Sequence, residues 1–257
     1  MGKRKGDGDN KHRKKPKNGG FIDVNTTGIY ATCSRGKERA CVKELMSIFE
    51  EKAQEMYPSL DAQEEEAEEV EEKLSVEEQI KREVEELKGA NKSKESLFSH
   101  IELNCECLVF IKTRKPINPE EFVKKICEES FTSKKKSTRF TQKLTPITLS
   151  TSASVEELKK LTKKVLAPHF HEVEDQKPLK FAVQVSRRHF NTIDRDTIIR
   201  SVAECMGKEY GHQVDLKNYD KLIIVECFKN NIGMSVVDDY DKLYKYNLQQ
   251  IFDKATE

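Results

Sequence analysis

Apolar positions change period several times along the chain, and each change marks an element. Gly28-Ile-Tyr-Ala-Thr-Cys33 is a short β-type run closed by Ser34-Arg35-Gly36. Val42, Leu45, Met46, Phe49, Ala53 and Met56 then recur at helical spacing, which predicts a helix over 37–56 that ends before Pro58. A second β run spans His100 to Lys112, centred on Leu108-Val-Phe-Ile111. Cys105 and Cys107, two apart on that run, are expected to share one face as packed thiols. Asn118-Pro119-Glu120-Glu121 has a capping Asn, a Pro at the first position and acids in the first turn, so a helix follows that buries Phe122, Val123, Ile126 and Cys127. A strand is expected around Leu144-Thr-Pro-Ile147.

The second half reads with equal clarity. Ser154-Val-Glu-Glu157 is a capping box, and Val155, Leu158, Leu161 and Val165 share one face of the helix it opens. Leu179 to Ser186 alternates strictly: Phe181, Val183 and Val185 point one way, Lys180, Gln184 and Ser186 the other. A polar corner, Arg187-Arg188-His189-Phe190-Asn191, comes next. A helix from Asp194 to Met206 has Ile198, Ile199, Val202 and Met206 as its inner stripe, and Gly207 and Gly211 turn the chain after it. Val214-Asp-Leu216 is a short strand. Leu222-Ile-Ile-Val-Glu-Cys-Phe228 is almost continuously apolar, which predicts a central strand buried on both faces. Lys229-Asn230-Asn231 turns the chain into a last strand, Ile232–Val237, and Tyr240 to Phe252 is a short helix or docking tail. The fold class is α/β (α+β). The order β, helix, β, helix, β of the first half is that of a split βαβ unit and resembles a ferredoxin-like domain. The expected division is a basic tail over 1–20, a ferredoxin-like domain over 21–150, and a second domain with a C-terminal tail over 151–257.

Charge modifies this picture in three places. The formal net charge is only +1, yet it is segregated. Residues 1–17 hold eight Lys/Arg against two Asp, residues 61–88 hold thirteen Asp/Glu against four Lys/Arg, and residues 112–143 hold ten Lys/Arg against four Glu. With no large apolar residue after Met1, the tail cannot form a core. Its clusters Lys3-Arg4-Lys5 and Arg13-Lys14-Lys15 fit a nuclear-localisation signal, a loose RNA-contacting arm or a plain solvated tail. The acidic stretch, about 61–96, reads as an exposed insertion. The first residues lack the apolar core of a secretory signal, and no apolar run reaches the ~20 residues that span a bilayer. The seven cysteines are expected to be reduced thiols in an intracellular protein.

Catalytic patterns are missing. The eleven glycines are dispersed rather than gathered in a phosphate-binding loop, and neither Gly-x-Ser-x-Gly nor Cys-x-x-Cys occurs. His169-x-His171 has no third metal ligand at a recognisable spacing. His189 is the best lone candidate for acid–base work but is better read as a nucleic-acid contact or a hydrogen-bonded structural residue. No cofactor or metal is expected. What remains is cationic. Arg187 and Arg188 end a half-buried strand, and Arg195 lies near a helix N-terminus, where backbone N–H groups also favour anions. Arg200 follows on the same helix. With Asn191, Lys229, Asn230 and Asn231, and with Lys134, Lys135, Lys136, Arg139 and Lys143 from the first half, they could form one basic surface for phosphate.

Phe181-Ala-Val-Gln-Val-Ser-Arg-Arg188, Ile198-Ile-Arg-Ser-Val-Ala203, His212-Gln-Val-Asp-Leu216 and Leu222 through Ser235 together resemble a THUMP domain. Gly28 through Arg39 is similar to the corresponding block of the eukaryotic THUMP-domain adaptors of tRNA cytidine acetylation. The resemblance covers roughly residues 20–250 and excludes the tail and the acidic stretch. It implies a tRNA-binding chain without catalytic activity, whose THUMP fold works with a preceding ferredoxin-like domain. Its partners would be tRNA and a separate RNA cytidine acetyltransferase that forms N4-acetylcytidine in the D-arm of serine and leucine tRNAs. With about twenty residues after the module, no fused catalytic domain is expected. Expected besides are a monomer when alone, a nuclear, nucleolar or partly cytoplasmic location, and no membrane contact. Arg187, Arg188 and Asn191 match the module's basic corner, with Asn230 and Asn231 nearby.

Overall fold

A computed structural model describes residues 20–58, 96–172, 177–207 and 209–255. The basic tail up to residue 19, with its two Lys/Arg clusters, and the acidic stretch over 59–95 lie outside the described residues.

Two sheets organise the chain. The first has the strand order β2-β3-β1-β4, with β1 Gly28–Cys33, β2 Phe98–Ile101, β3 Leu108–Thr113 and β4 Thr141–Ile147, every pairing antiparallel. Helices α1 (Glu38–Met56) and α2 (Pro119–Ser133) complete a ferredoxin-like βαββαβ order. The sequence pattern merged β2 and β3 into one run. In the structure they form an antiparallel pair joined by a loop, and Cys105 and Cys107 lie in that loop, Cys107 at φ 59°. The two thiols therefore share no strand face. The break falls at Asn104, also left-handed at φ 51°, where the chain reverses. Asn118 caps α2 as expected: its Oδ1 accepts the Glu120 N–H at 3.1 Å.

The second sheet has the order β5-β9-β8-β6-β7. Its strands are β5 Leu149–Ser152, β6 Lys180–Arg188, β7 Gln213–Val214, β8 Lys221–Phe228 and β9 Asn231–Asp238. Strand β6 runs parallel to β8, with Arg188 beside Phe228, and β8 turns through a two-residue hairpin into β9. Helices α3 (Val155–Leu166) and α4 (Arg195–Met206) cover one face. Both begin at side-chain caps: Ser154 Oγ accepts the Glu157 N–H at 3.2 Å, and Asp194 Oδ1 accepts the Thr197 N–H at 2.8 Å.

No separating linker intervenes. Between β4 of the first sheet and β5 of the second lies Thr148 alone, and its N–H already bonds Met234 at 3.0 Å. Strand β8 is buried on both faces, as its apolar run requires. Ile223, Val225 and Cys227 join the core under α3 and α4. Leu222 and Ile224, with Ala182 of β6 and Val237 of β9, join the first sheet's core with Leu45, Phe49 and Phe122. A further small core, with Tyr30, Phe110, Ile147 and Phe228, fills the angle between the sheets. Close approach there depends on Gly233: a Cβ on it would lie 2.8 Å from Ile147 Cγ2. The C-terminal helix α5 (Leu248–Ala255) returns to the first half, where Leu248 and Ile251 enter the same core as Phe122.

Candidate nucleic-acid interface

Strand alternation separates Arg187 from Arg188. Both are exposed, but successive side chains of β6 leave by opposite faces. The Arg187 guanidinium turns towards the start of α4, where Nη1 donates to the Ile193 carbonyl at 3.4 Å. Arg188 turns towards the first sheet. There it meets Glu226, which burial pushes above the ordinary carboxyl range, while a Ser186 hydrogen bond, Lys143 and Arg188 pull it back. Lys143, from edge strand β4, also lies 5.4 Å above the Tyr240 ring, whose hydroxyl bonds Gln184 of β6 at 3.3 Å. Lys143 of the first half and Arg188 of the second thus both act on the charge of Glu226, and Lys143 reaches β6 through Tyr240.

The next turn has a different role from the one its sequence suggests. Asn231 is 2% exposed, and its Nδ2 donates to the carbonyls of Ile22 (3.2 Å) and Asp23 (3.4 Å). Lys229 is half-buried, and its ammonium donates to the carbonyls of Gly20 (2.7 Å) and Leu103 (3.1 Å). These two residues were expected on the RNA surface. Their side chains instead fasten the segment before β1 to the hairpin, because several buried or half-buried carbonyls there need donors. Asn230, between them, remains exposed. His189 is exposed at φ 52°, with its ring edge-on to Phe228 at 6.4 Å.

The remaining expected contacts scatter. Asn191 and Arg195 are exposed on the Arg187 side, near the start of α4, and Arg200 is exposed along that helix. Lys135 and Lys136 are exposed after α2, with the Lys136 ammonium 5.9 Å from the ring of Phe252 in α5. The Arg139 guanidinium lies 5.3 Å from the Phe140 ring. Lys143 is the first-half cation that the structure places with Arg188. Glu226 was not singled out in the sequence, although a lone acid inside the apolar run of β8 is a signal that could have found it.

Other chemistry is quiet. Burial pushes the Cys33 and Cys227 thiols up to about 12, far from the thiolate a nucleophile needs. His169 and His171 diverge: His169 Nε2 meets Glu120 at 3.2 Å, and His171 Nε2 meets the Met206 carbonyl at 3.1 Å. Among the described residues no group of three or more His, Cys, Asp or Glu could hold a metal ion, and no helix is long and apolar enough to cross a membrane.

Residues 152–237 match the THUMP domain, which places that domain on the second sheet and its helices. The chain is 50% identical to a Saccharomyces cerevisiae protein named tRNA acetyltransferase TAN1, over 96% of this chain and 92% of the yeast protein. It is 38% identical to an uncharacterized Schizosaccharomyces pombe protein, over 90% of this chain and 77% of that one. Among solved structures, PH1313 from Pyrococcus horikoshii aligns with 82% of this chain and 55% of its own, at a TM-score of 0.48 and 16% identity. Half of all aligned positions shared across nearly the whole of both chains is decisive: the chain belongs to the TAN1-type family of THUMP-domain proteins.

Proposed function

We propose that this chain binds tRNA through the face that carries Arg188, Lys143, His189 and Asn230, and presents it to a separate RNA cytidine acetyltransferase. The reaction served is N4-acetylcytidine formation in the D-arm of serine and leucine tRNAs. The observation that supports this reading is that Lys143 of the first half lies against Tyr240, which bonds Gln184 on the same face of β6 as the exposed Arg188, so that cations from both halves share one face. Phosphate recognition requires cations at fixed positions, and Arg grips phosphate with two hydrogen bonds. Arg187, Asn191 and Arg195 supply a second polar and cationic group around the start of α4. The eight Lys/Arg of residues 1–17 can add to the chain's attraction for RNA.

Combined substitution of Arg188 and Lys143 by Ala is expected to weaken tRNA binding and to lower the slope of log affinity against log salt by about two, one per lost phosphate contact. Unchanged affinity and slope would displace the interface from this face.

A second reading has one observation in its favour, the yeast relative's name, which calls that protein an acetyltransferase. Incubation of purified chain with acetyl-CoA and unmodified tRNA separates the two. Acetylcytidine formed without a second protein establishes catalysis by this chain. Product that forms only on addition of an RNA cytidine acetyltransferase establishes the presenting role.

A further inference from the structure

The segment that Lys229 and Asn231 fasten carries a feature outside the cationic face. Gly20 donates its N–H to the Glu102 carbonyl at 2.7 Å and gives its own carbonyl to Lys229 at 2.7 Å. The Ile22 carbonyl accepts from Asn231 at 3.2 Å, and the Ile22 side chain is buried at the angle between the sheets. Phe21 lies between these anchors, and its residue is 54% exposed. Its backbone is thus held on both sides while its ring stays largely in solvent. A single exposed apolar residue is ordinary, but the setting of this one is specific. The Lys229 ammonium lies 5.1 Å from the Phe21 ring centroid and equally 5.1 Å from that of Phe228. Phe228 in turn meets the His189 ring edge-on and pairs with Arg188 in the sheet. An aromatic series, Phe21, Phe228 and His189, thus runs past one ammonium to the arginine of the candidate interface.

We propose that Phe21 is a stacking platform for an unpaired nucleobase of the bound RNA. The inference rests on the reading of this face as an RNA interface and adds to it the class of nucleotide it takes. An exposed aromatic ring held by a fixed backbone is what a splayed-out base requires: the ring's free side takes the base's π-face, and the exposed Arg188 at the far end of the series is the cation for a flanking phosphate. A base within a duplex is stacked on its neighbours and cannot reach such a ring, so the site selects a single-stranded end, bulge or loop. A protein partner with an apolar side chain would use the same ring without cations, and the test separates the two.

The chain has no tryptophan, so Phe21→Trp installs a single indole reporter at the site. Its fluorescence should be quenched by tRNA and by a short single-stranded RNA, and left unchanged by a blunt RNA duplex. In parallel, Phe21→Ala and Phe21→Leu should each weaken tRNA binding about tenfold or more while leaving the salt slope as in the wild type, because stacking releases no counterions. Thermal melting of both variants should match the wild type, since the ring is exposed. If the wild type binds tRNA and Phe21→Leu binds as well, or if the indole responds equally to the duplex, the stacking proposal fails and the RNA reading stands. If the wild type does not bind tRNA at all, the RNA reading itself fails and stacking falls with it.

Discussion

The two faces of the second sheet are covered in different ways. One lies under α3 and α4, elements of its own half, and is filled by Ile223, Val225, Ile198, Val202 and Leu158. The other meets the first sheet's core and the C-terminal helix, and mixes apolar Leu222, Ile224 and Ala182 with polar Gln184, Ser186, Arg188 and Glu226. The helix-covered face is a closed apolar core whose task is stability. The junction face grades from apolar to charged along the strands, and the candidate RNA interface lies at its charged end. The orientation of one half on the other therefore sets the geometry of that interface.

This contrast can be broken residue by residue. The largest effect should come from Ile223→Ala, at about 2–5 kcal/mol for the lost methylenes and the cavity left behind. Ile224→Ala should cost a similar amount in melting experiments but should also lower tRNA affinity, because it loosens the face from which Arg188 projects. Equal affinity for the two variants would separate the junction from the interface.

Glu120→Ala should come next, at about 1–3 kcal/mol. Glu120 belongs to α2 in the first half, and its Oε1 accepts from the buried Val236 N–H at 2.6 Å and the Thr148 hydroxyl at 2.5 Å. Its removal leaves a buried donor unpaired across the junction, and chemical denaturation measures the loss. Substitution of Asp194 by Ala removes the cap of α4 on the opposite face and should cost about 1 kcal/mol. Because Asp194 supports the helix rather than the junction, Arg188-dependent binding should survive it.

The smallest effect is an acid one. Backbone N–H groups of Asn218 and Lys217, with Lys180, hold the Asp215 carboxyl down at about 2. A folded-state pKa below the unfolded value of about 3.9 stabilises at higher pH, and that contribution disappears as pH falls through about 2. Asp215→Asn should therefore flatten part of the melting-temperature change between about pH 5 and 2. An identical pH profile would show that the loop's hydrogen bonds do not hold the ionised carboxylate.

Most elements were legible in the chain because their causes are local. The apolar spacing of Val42 to Met56, the caps at Asn118, Ser154 and Asp194, and the unbroken run of Leu222–Phe228 each act through neighbours a few residues away. The division of β2 from β3 was not legible. The left-handed residues at Asn104 and Cys107 that turn the chain there are not ones a pattern of apolar positions reveals. The candidate site was legible in part. Arg188 and Lys143 were singled out as charges. Their meeting around Glu226, and the turning away of Arg187, depend on which face of β6 the first half covers.

The amino-acid order by itself determined the succession of strands and helices, the double burial of β8 and the positive charge of the polar corner, since periodicity and capping are short-range properties. Only the tertiary structure decided that Lys229 and Asn231 serve as donors to buried or half-buried carbonyls while their neighbours Arg188 and Asn230 face outward. Lys229 and Asn231 reach carbonyls of Gly20, Ile22, Asp23 and Leu103, far away in the chain. A donor's partner at that separation is chosen by the packing of one sheet on the other.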